Sequence, residues 1–213
     1  MRKILYLIVI ILVATTAAKA QYDAKALEIL DQMSEKYTGM SAYKADFTHS
    51  MTNETEDINE KFEGKITVKG DKFRLLMSGQ EIYSNGSTVW TYLPEVNEVN
   101  IDNYYPASDM SPSKIYTAYK DGYKYLYIND VSEEGKSLSV VDLVPEDTGS
   151  QFFKIRLKIN KSNKNLHSWE IFDKAGNKYL YHITNFTPDV NVNDGHFEFD
   201  ASKHKGVEVI DLR

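Results

Sequence analysis

Period-two alternation runs through most of this chain and leaves few folds open to it. Tyr43, Ala45, Phe47, His49 and Met51 alternate with mostly polar neighbours. Phe62, Gly64, Ile66 and Val68 do the same, as do Phe73, Leu75 and Met77, then Val99 and Ile101. Such alternation buries one face of each strand and wets the other, as in an antiparallel sheet. Strand-like pieces return at Tyr123 to Ile128, Leu138 to Val144, Phe153 to Ile159, His167 to Phe172 and Tyr179 to Phe186. Asn163 and Ala175-Gly176-Asn177 mark turns between them. Asn85-Gly86 is expected to be a tight two-residue hairpin turn, because both residues tolerate positive φ. The last stretch, Gly195 to Asp211, reads as two short strand-like pieces around Phe197, Phe199, Val207 and Val209.

Two or three helices are expected among some ten strands, and two of them can be placed. Ala26, Leu30, Met33 and Tyr37 share one face of a helix from Asp23 to Tyr37, with Gly39 as its stop. Ser111-Pro112 reads as an N-cap followed by a first-turn proline. Ile115, Tyr116 and Tyr119 then lie on one face, and Gly122 ends the element. A short helix interrupting a sheet protein is the natural place for a lid. The links between strands are too short for crossover helices, which rules out a parallel α/β fold. The expected class is mainly β (α+β), a curved antiparallel sheet forming an incomplete β-barrel covered by a helical lid.

The first 20 residues read as a signal peptide. Arg2 and Lys3 precede the apolar run Ile4 to Val13, and Ala18-Lys19-Ala20 fits a cleavage site. The run is shorter than the roughly 20 residues that span a bilayer. Residues 21–213 then form a single domain. No cysteine occurs, so disulfides, thiolate metal sites and a lipid on a cysteine are all excluded. The formal charge is 25 − 31 = −6. Removing Arg2, Lys3 and Lys19 makes it 22 − 31 = −9, unsuited to nucleic acid.

Little points to catalysis. His49, His167, His182, His196 and His204 are scattered and read as isolated imidazoles, with no metal spacing among them. There is no G-x-S-x-G elbow and no phosphate-cradling glycine loop. The acids sit in solvated runs such as Glu54-Thr55-Glu56-Asp57. The chain is therefore not expected to be an enzyme, nor to need a cofactor or a metal. Four N-x-S/T triplets, at Asn53, Asn85, Asn160 and Asn185, carry little weight as glycan acceptors. Tyrosine is abundant, 15 in all, with five between Tyr116 and Tyr127. Its apolar body and polar tip suit a surface that meets both water and grease, and also suit ordinary strands.

Taken together these motifs resemble the LolA family of periplasmic carriers of outer-membrane lipoproteins. The likeness begins at the first helix and continues through Tyr43-Lys44-Ala45-Asp46-Phe47-Thr48. It is densest from Phe62 to Val99, where Gly64, Phe73, Ser84, Gly86, Trp90, Tyr92 and Val99 match family positions. Ser111-Pro112 resembles the start of the family's lid helix. Phe197-Glu198-Phe199 to Gly206-Val207-Glu208-Val209-Ile210-Asp211 resembles its ending.

The resemblance implies a monomeric carrier in the periplasm. It would take acylated lipoproteins from an inner-membrane ABC transporter complex and deliver them to the outer membrane. Phe47, Ile66, Val68, Phe73, Leu75, Trp90 and Tyr92 are the candidate cavity or mouth residues, with Ile115 and Tyr119 in the lid. On this reading Phe73→Glu weakens lipid loading and leaves the fold intact. An alternative is an envelope-stress sensor or lipid-binding module of the same fold, since the sensor domains of periplasmic anti-sigma regulators look similar. One departure is local. Many family members carry an Arg-Pro pair before the matched Phe73, with the arginine tied to lid opening. Here Lys69-Gly70-Asp71-Lys72 stands there, and His49 replaces a family glutamine. Lys69, Lys72 and Arg74 are the nearest cations.

Overall fold

The structure, a computed structural model, describes residues 23–105 and 115–213. The expected signal peptide and the Ser111-Pro112 helix start lie outside the described residues.

Among the described residues one α-helix, α1 (Ala24–Thr38), precedes twelve strands. The first six are β1 (Tyr43–Asn53), β2 (Ile58–Lys69), β3 (Lys72–Met77), β4 (Gln80–Ser84), β5 (Thr88–Leu93) and β6 (Glu98–Asn103). The next five are β7 (Tyr123–Glu133), β8 (Lys136–Pro145), β9 (Phe152–Asn160), β10 (Leu166–Asp173) and β11 (Lys178–Pro188), and β12 (Glu208–Asp211) comes last. All twelve make one sheet, ordered β12-β6-β5-β4-β3-β2-β1-β11-β10-β9-β8-β7. Two meanders, β1 to β6 and β7 to β11, meet where β1 pairs antiparallel with β11. The outer strands β7 and β12 do not pair, so the sheet stays open as an incomplete barrel.

The sheet also curls. β3 and β10 lie four steps apart, about 19 Å on a flat sheet. Leu75 of β3 and Ile171 of β10 nevertheless line one cavity. Topology explains the lid. β6 lies near one margin and β7 forms the other, so the chain must cross from side to side between them. The described end of that crossing lies on the inner face, where it buries Ile115, Tyr116 and Tyr119. It forms a turn and a 3₁₀ segment, Ala118–Lys120.

Helix α1 covers the same face. Its apolar stripe Ala26, Leu30, Met33 and Tyr37 is buried in one core with Tyr43, Val68, Phe73, Leu143, Leu157 and Leu166. Asp23 caps the helix and also the edge strand, accepting from the N–H groups of Lys25, Ala26 and Tyr127. Partial burial works to raise its pKa, but the donors of Ala26, Tyr127 and Lys25 together hold it below the usual range. At the other end Tyr37 Oη accepts from the Leu166 N–H at 3.1 Å. Gly39 ends the helix at φ −78°, without the left-handed conformation a glycine stop usually takes.

Three sequence expectations need correction. Tight two-residue turns are at Gly70-Asp71 (Gly70 φ 57°), Ser78-Gly79 (φ 53° and 76°) and Glu134-Gly135 (φ 51° and 73°), which close Lys69↔Lys72, Met77↔Gln80 and Glu133↔Lys136. Asn85 instead acts through its side chain, which accepts from the N–H groups of Ser87 and Thr88 in a wider loop. An Asx turn needs no positive φ at the asparagine. Asn53 and Asn160 fold their own turns in the same way. Next, the segment around Phe197 is a 3₁₀ turn, Asp194–Phe197, not a strand. Finally, β12 pairs parallel with β6, the one parallel pairing among the described residues.

Candidate functional site

Strand parity divides the sheet into two chemically distinct faces. On the inner face, register aligns Phe47 with Gly64, Ala45 with Ile66, and Tyr43 with Val68. It continues from Ile66 to Leu75 and from Val68 to Phe73. On the other side of β1, Phe47 opposes Ile183 and His49 opposes Tyr181. Tyr181 opposes Trp169, and Leu157 follows. Apolar rows from both meanders therefore converge under α1 and the crossing segment.

Between them lies a cavity of about 150 Å³. Its walls are Phe47, Ile66, Leu75, Met77, Trp169, Ile171, Tyr181 and Ile183, with Ile115 and Tyr116 as its cover. Trp169 and Tyr181 stack at 4.6 Å, and His49 stacks on Tyr181 at 4.4 Å. No wall residue carries a charge. Burial raises the Tyr116 phenol well above its ordinary range and raises Tyr181 as well, so both stay neutral.

The cover is held by aromatic packing. Tyr116 stacks on Tyr37 of α1 with centroids 3.6 Å apart and planes 8° apart, and Tyr43 meets both edge-on. Tyr119 donates to Asp31 of α1, a second tie. Burial is the main cause that raises the Tyr119 phenol, with the Asp31 carboxylate adding to it.

A larger groove, about 850 Å³, lies on the opposite face. Asp46, Thr48, Glu63, Lys65 and Glu81, outward neighbours of the cavity walls, line it together with Leu76, Pro94 and the edges of Phe47 and Met77. Size alone would favour it, but its charged side chains make it a poorer shelter for a hydrocarbon than the uncharged cavity.

The sequence candidates fall into three groups. Phe47, Ile66, Leu75 and Ile115 line the cavity. Val68, Phe73 and Tyr119 belong to the surrounding core and are 3%, 5% and 2% exposed. Trp90 and Tyr92 are on the other face. Leu75 opposes Ile82, and Ile82 opposes Thr91, so Trp90 and Tyr92 point outward beside Tyr83 and Val99. A one-residue difference in parity reverses the face. There Tyr92 meets Phe199 at 5.1 Å and His204 at 4.4 Å, part of a second apolar cluster under the C-terminal segment. Two of the nearest cations serve that segment too. Lys69 and Lys72 each reach Asp194 at 2.9 Å, while Arg74 pairs with Glu81 at 2.9 Å. Lys69 first, then Lys72, pulls the Asp194 carboxyl down to about 2.

Met77, Tyr116, Trp169, Ile171, Tyr181 and Ile183 complete the site without having been chosen from sequence. Their alternation was visible. The pairing of β1 with β11, which brings Trp169, Ile171, Tyr181 and Ile183 to Phe47, was not.

His49 stacks between Tyr179 and the cavity-wall residue Tyr181, and neither ring nitrogen has a hydrogen-bond partner. Burial lowers its pKa, and it lowers that of His196, which faces Arg74 and Lys44. Lowered imidazoles favour the neutral form in the fold. Their stabilisation is complete above the ordinary value of 6.5 and is lost as pH falls below it. The urea midpoint is therefore expected to drop between about pH 7.5 and about pH 5.5, well above carboxylate titration. His49→Gln should flatten part of that drop; an unchanged slope would show that His49 is not strained by burial.

Known proteins agree with this architecture. The chain is similar, at 28% identity over 206 residues, to the outer-membrane lipoprotein carrier protein of Actinobacillus pleuropneumoniae serotype 7 (strain AP76), covering 95% of this chain and 91% of the relative. It is 24% identical over 151 residues to the outer-membrane lipoprotein carrier protein of Dechloromonas aromatica (strain RCB), covering 69% and 71%. A crystal structure of an uncharacterized conserved protein from Thermus thermophilus shares the fold, with a TM-score of 0.58 at 16% identity over 88% of this chain and 99% of that one. The family model described as outer membrane lipoprotein carrier protein LolA matches residues 38–200, the span holding the cavity, its cover and both faces of the sheet, and the chain belongs to that family.

Proposed function

We propose that this protein is a periplasmic carrier that hides the acyl chains of lipoproteins in the inner-face cavity during transit to the outer membrane. The observation that carries this reading is an uncharged hollow, inside an open sheet, covered by Ile115 and Tyr116. Each methylene kept from water is worth roughly 0.8 kcal/mol, so a chain of about 16 carbons costs on the order of 13 kcal/mol to expose. An aqueous crossing needs a carrier that offsets most of this. It must also let go, so its hollow should be able to refill.

The cavity suits both needs. At about 150 Å³ it is smaller than the roughly 300–1,000 Å³ of ordinary ligand pockets. Loading therefore requires Ile115 and Tyr116 to withdraw, and emptying lets them return. Tyr116 leaves a stack with Tyr37, so opening gives up aromatic contacts that lipid burial replaces. Met77 adds a flexible wall that adapts to its contents. No covalent step and no cofactor enters this cycle. The donor would be an inner-membrane ABC transporter complex, and the carrier would work as a monomer. Residues 1–20 would serve as the export signal.

Binding of a fluorescent diacylated lipopeptide tests the reading. Met77 is half-buried at the end of β3, beside the Ser78-Gly79 turn. A carboxylate there stays hydrated when the cavity is empty and is stranded when lipid enters. Met77→Glu should weaken lipopeptide binding at least tenfold, about 1.4 kcal/mol, with little change in urea midpoint. Met77→Leu should bind normally. Wild-type protein that takes up no lipopeptide, or a Glu variant that binds as tightly as wild type, would overturn the assignment.

A further inference from the structure

The face opposite the cavity carries a group of side chains that the carrier reading does not use. Sequence spacing made His167 and His182 look like isolated imidazoles. The fold brings them together with Glu134, each offering one ligand atom, all within 4.8 Å of one another. We propose that Glu134, His167 and His182 form a binding site for a divalent transition-metal ion, with Zn²⁺ the favoured occupant.

Three separate elements deliver the three ligands. His182 lies on β11, where its partner across the ladder is Ser168. His167 lies at an irregularity in β10. Leu166 pairs with Ile159 and Ser168 with Lys158, which leaves His167 as the extra residue. A bulge of this kind re-aims a side chain. Glu134 sits at the tip of the β7–β8 hairpin, fixed there by its left-handed φ of 51°. Across the sheet, β9 lies between that hairpin and β10, so the tip reaches over one strand to meet the imidazoles.

The geometry is that of a site close to closing on an ion. His182 Nε2 is 3.5 Å from Glu134 Oε1, and His167 Nε2 is 3.9 Å from Glu134 Oε2. The two rings meet edge-on, with centroids 4.6 Å apart and planes at 88°. Both Nε2 atoms thus converge on one carboxylate at distances too long for good hydrogen bonds. Zinc binds nitrogen and carboxylate oxygen at about 2.0–2.2 Å, so tetrahedral ligand atoms lie roughly 3.3–3.5 Å apart. The small contraction needed can come from Glu134, whose side chain is 57% exposed. The buried His167, 5% exposed, supplies the fixed point.

The donor set selects the ion. Two imidazoles and one carboxylate suit Zn²⁺, and by the general affinity order also Ni²⁺ and Cu²⁺; they do not suit Ca²⁺ or Mg²⁺. Three protein ligands leave the fourth position to a water molecule on the exposed Glu134 side. Lys136 opposes binding, since its ammonium lies 3.4 Å from Glu134 Oε2. A bound ion would tie the β7–β8 tip to β10 and β11 without touching the cavity, because His182 and its partner Ser168 point away from the inner-face row of Trp169 and Tyr181.

Titration of tag-free protein with Zn²⁺, followed by calorimetry, tests this, together with the visible absorption of bound Co²⁺. Wild-type protein should take up one equivalent, show the Co²⁺ spectrum of a four-coordinate site, and melt at higher temperature as Zn²⁺ rises. Glu134→Gln and His182→Ala should each weaken binding at least tenfold and abolish that spectrum. Lys136→Met should tighten binding by a few fold. Lipopeptide binding should be unaffected in all three, which separates failure here from failure of the carrier reading. Should His182→Ala fold poorly, the exposed Glu134→Gln carries the test alone. Absence of stoichiometric uptake by wild type, or equal uptake by wild type and Glu134→Gln, would overturn the site.

Discussion

Phe73→Glu is expected to destroy the fold rather than yield an intact carrier with an empty cavity. The residue is 5% exposed and belongs to the main core. It stands opposite Val68 and Ser84, and its ring meets Tyr104 edge-on at 5.9 Å. Removing the aromatic ring alone costs about 3–5 kcal/mol. An unpaired carboxylate in the same place adds several more unless it stays protonated. A domain of this kind has only about 5–15 kcal/mol in total. The variant should therefore express poorly or melt at the lowest urea concentrations, while Phe73→Leu should lose about 1.5 kcal/mol or less. A Glu variant with a wild-type midpoint would remove Phe73 from the core. Alternation alone makes Phe73 a wall that tolerates charge; the fold buries it, and Met77, four residues along the same face and half-buried where the strand ends, is the wall position expected to accept one.

Gly64→Ala should be the most damaging single-methyl change in the protein, and its damage should disappear when Phe47 is shortened. A Cβ on Gly64 would lie 2.3 Å from Phe47 Cζ and 2.7 and 2.9 Å from the ring's two Cε atoms. The two residues are direct cross-strand partners, so the ring lies flat over the glycine. Phe47 is 5% exposed and opposes Ile183 on its other side, and the cavity it lines is the inner-face space open to its ring. Overpacking of this kind costs about 1–3 kcal/mol, and the displaced ring fills space that lipid needs. Both stability and lipopeptide binding should fall. In a Phe47→Ala background the same methyl no longer meets the ring, and alanine in a strand is no worse than glycine. A double-mutant cycle on urea midpoints should give a coupling of about 1–3 kcal/mol. Additive effects would mean that the ring does not rest on Gly64.

Much of the architecture was legible in the pattern of residues. Phe73, Leu75 and Met77 announced a half-buried strand, and Ala26, Leu30, Met33 and Tyr37 a helix with one face to bury. Both expectations needed only local periodicity. Alternation says that a strand has two faces. It does not say which face is in, and Trp90 and Tyr92 went to the wrong side for that reason. Turn chemistry was harder still. Asn85-Gly86 has the composition of a two-residue hairpin, but the asparagine side chain folds a longer loop. Ser78-Gly79 and Glu134-Gly135, less typical in composition, take the left-handed pair because strand register on either side demands it.

Local order along the chain determined the elements, their apolar stripes, the absence of cysteine and the likeness to the LolA family, since each depends on residues close in sequence. Only the tertiary structure decided which stripes meet. Pairing of β1 with β11 joins residues far apart in the chain, as Phe47 and Ile183 are, and so assembles the hollow. A bulge on β10 and a hairpin tip bring Glu134 to two histidines that spacing left apart. Periodicity is a short-range signal; a cavity and a ligand cluster are made by long-range closure, whose cost and reward do not register in neighbouring residues.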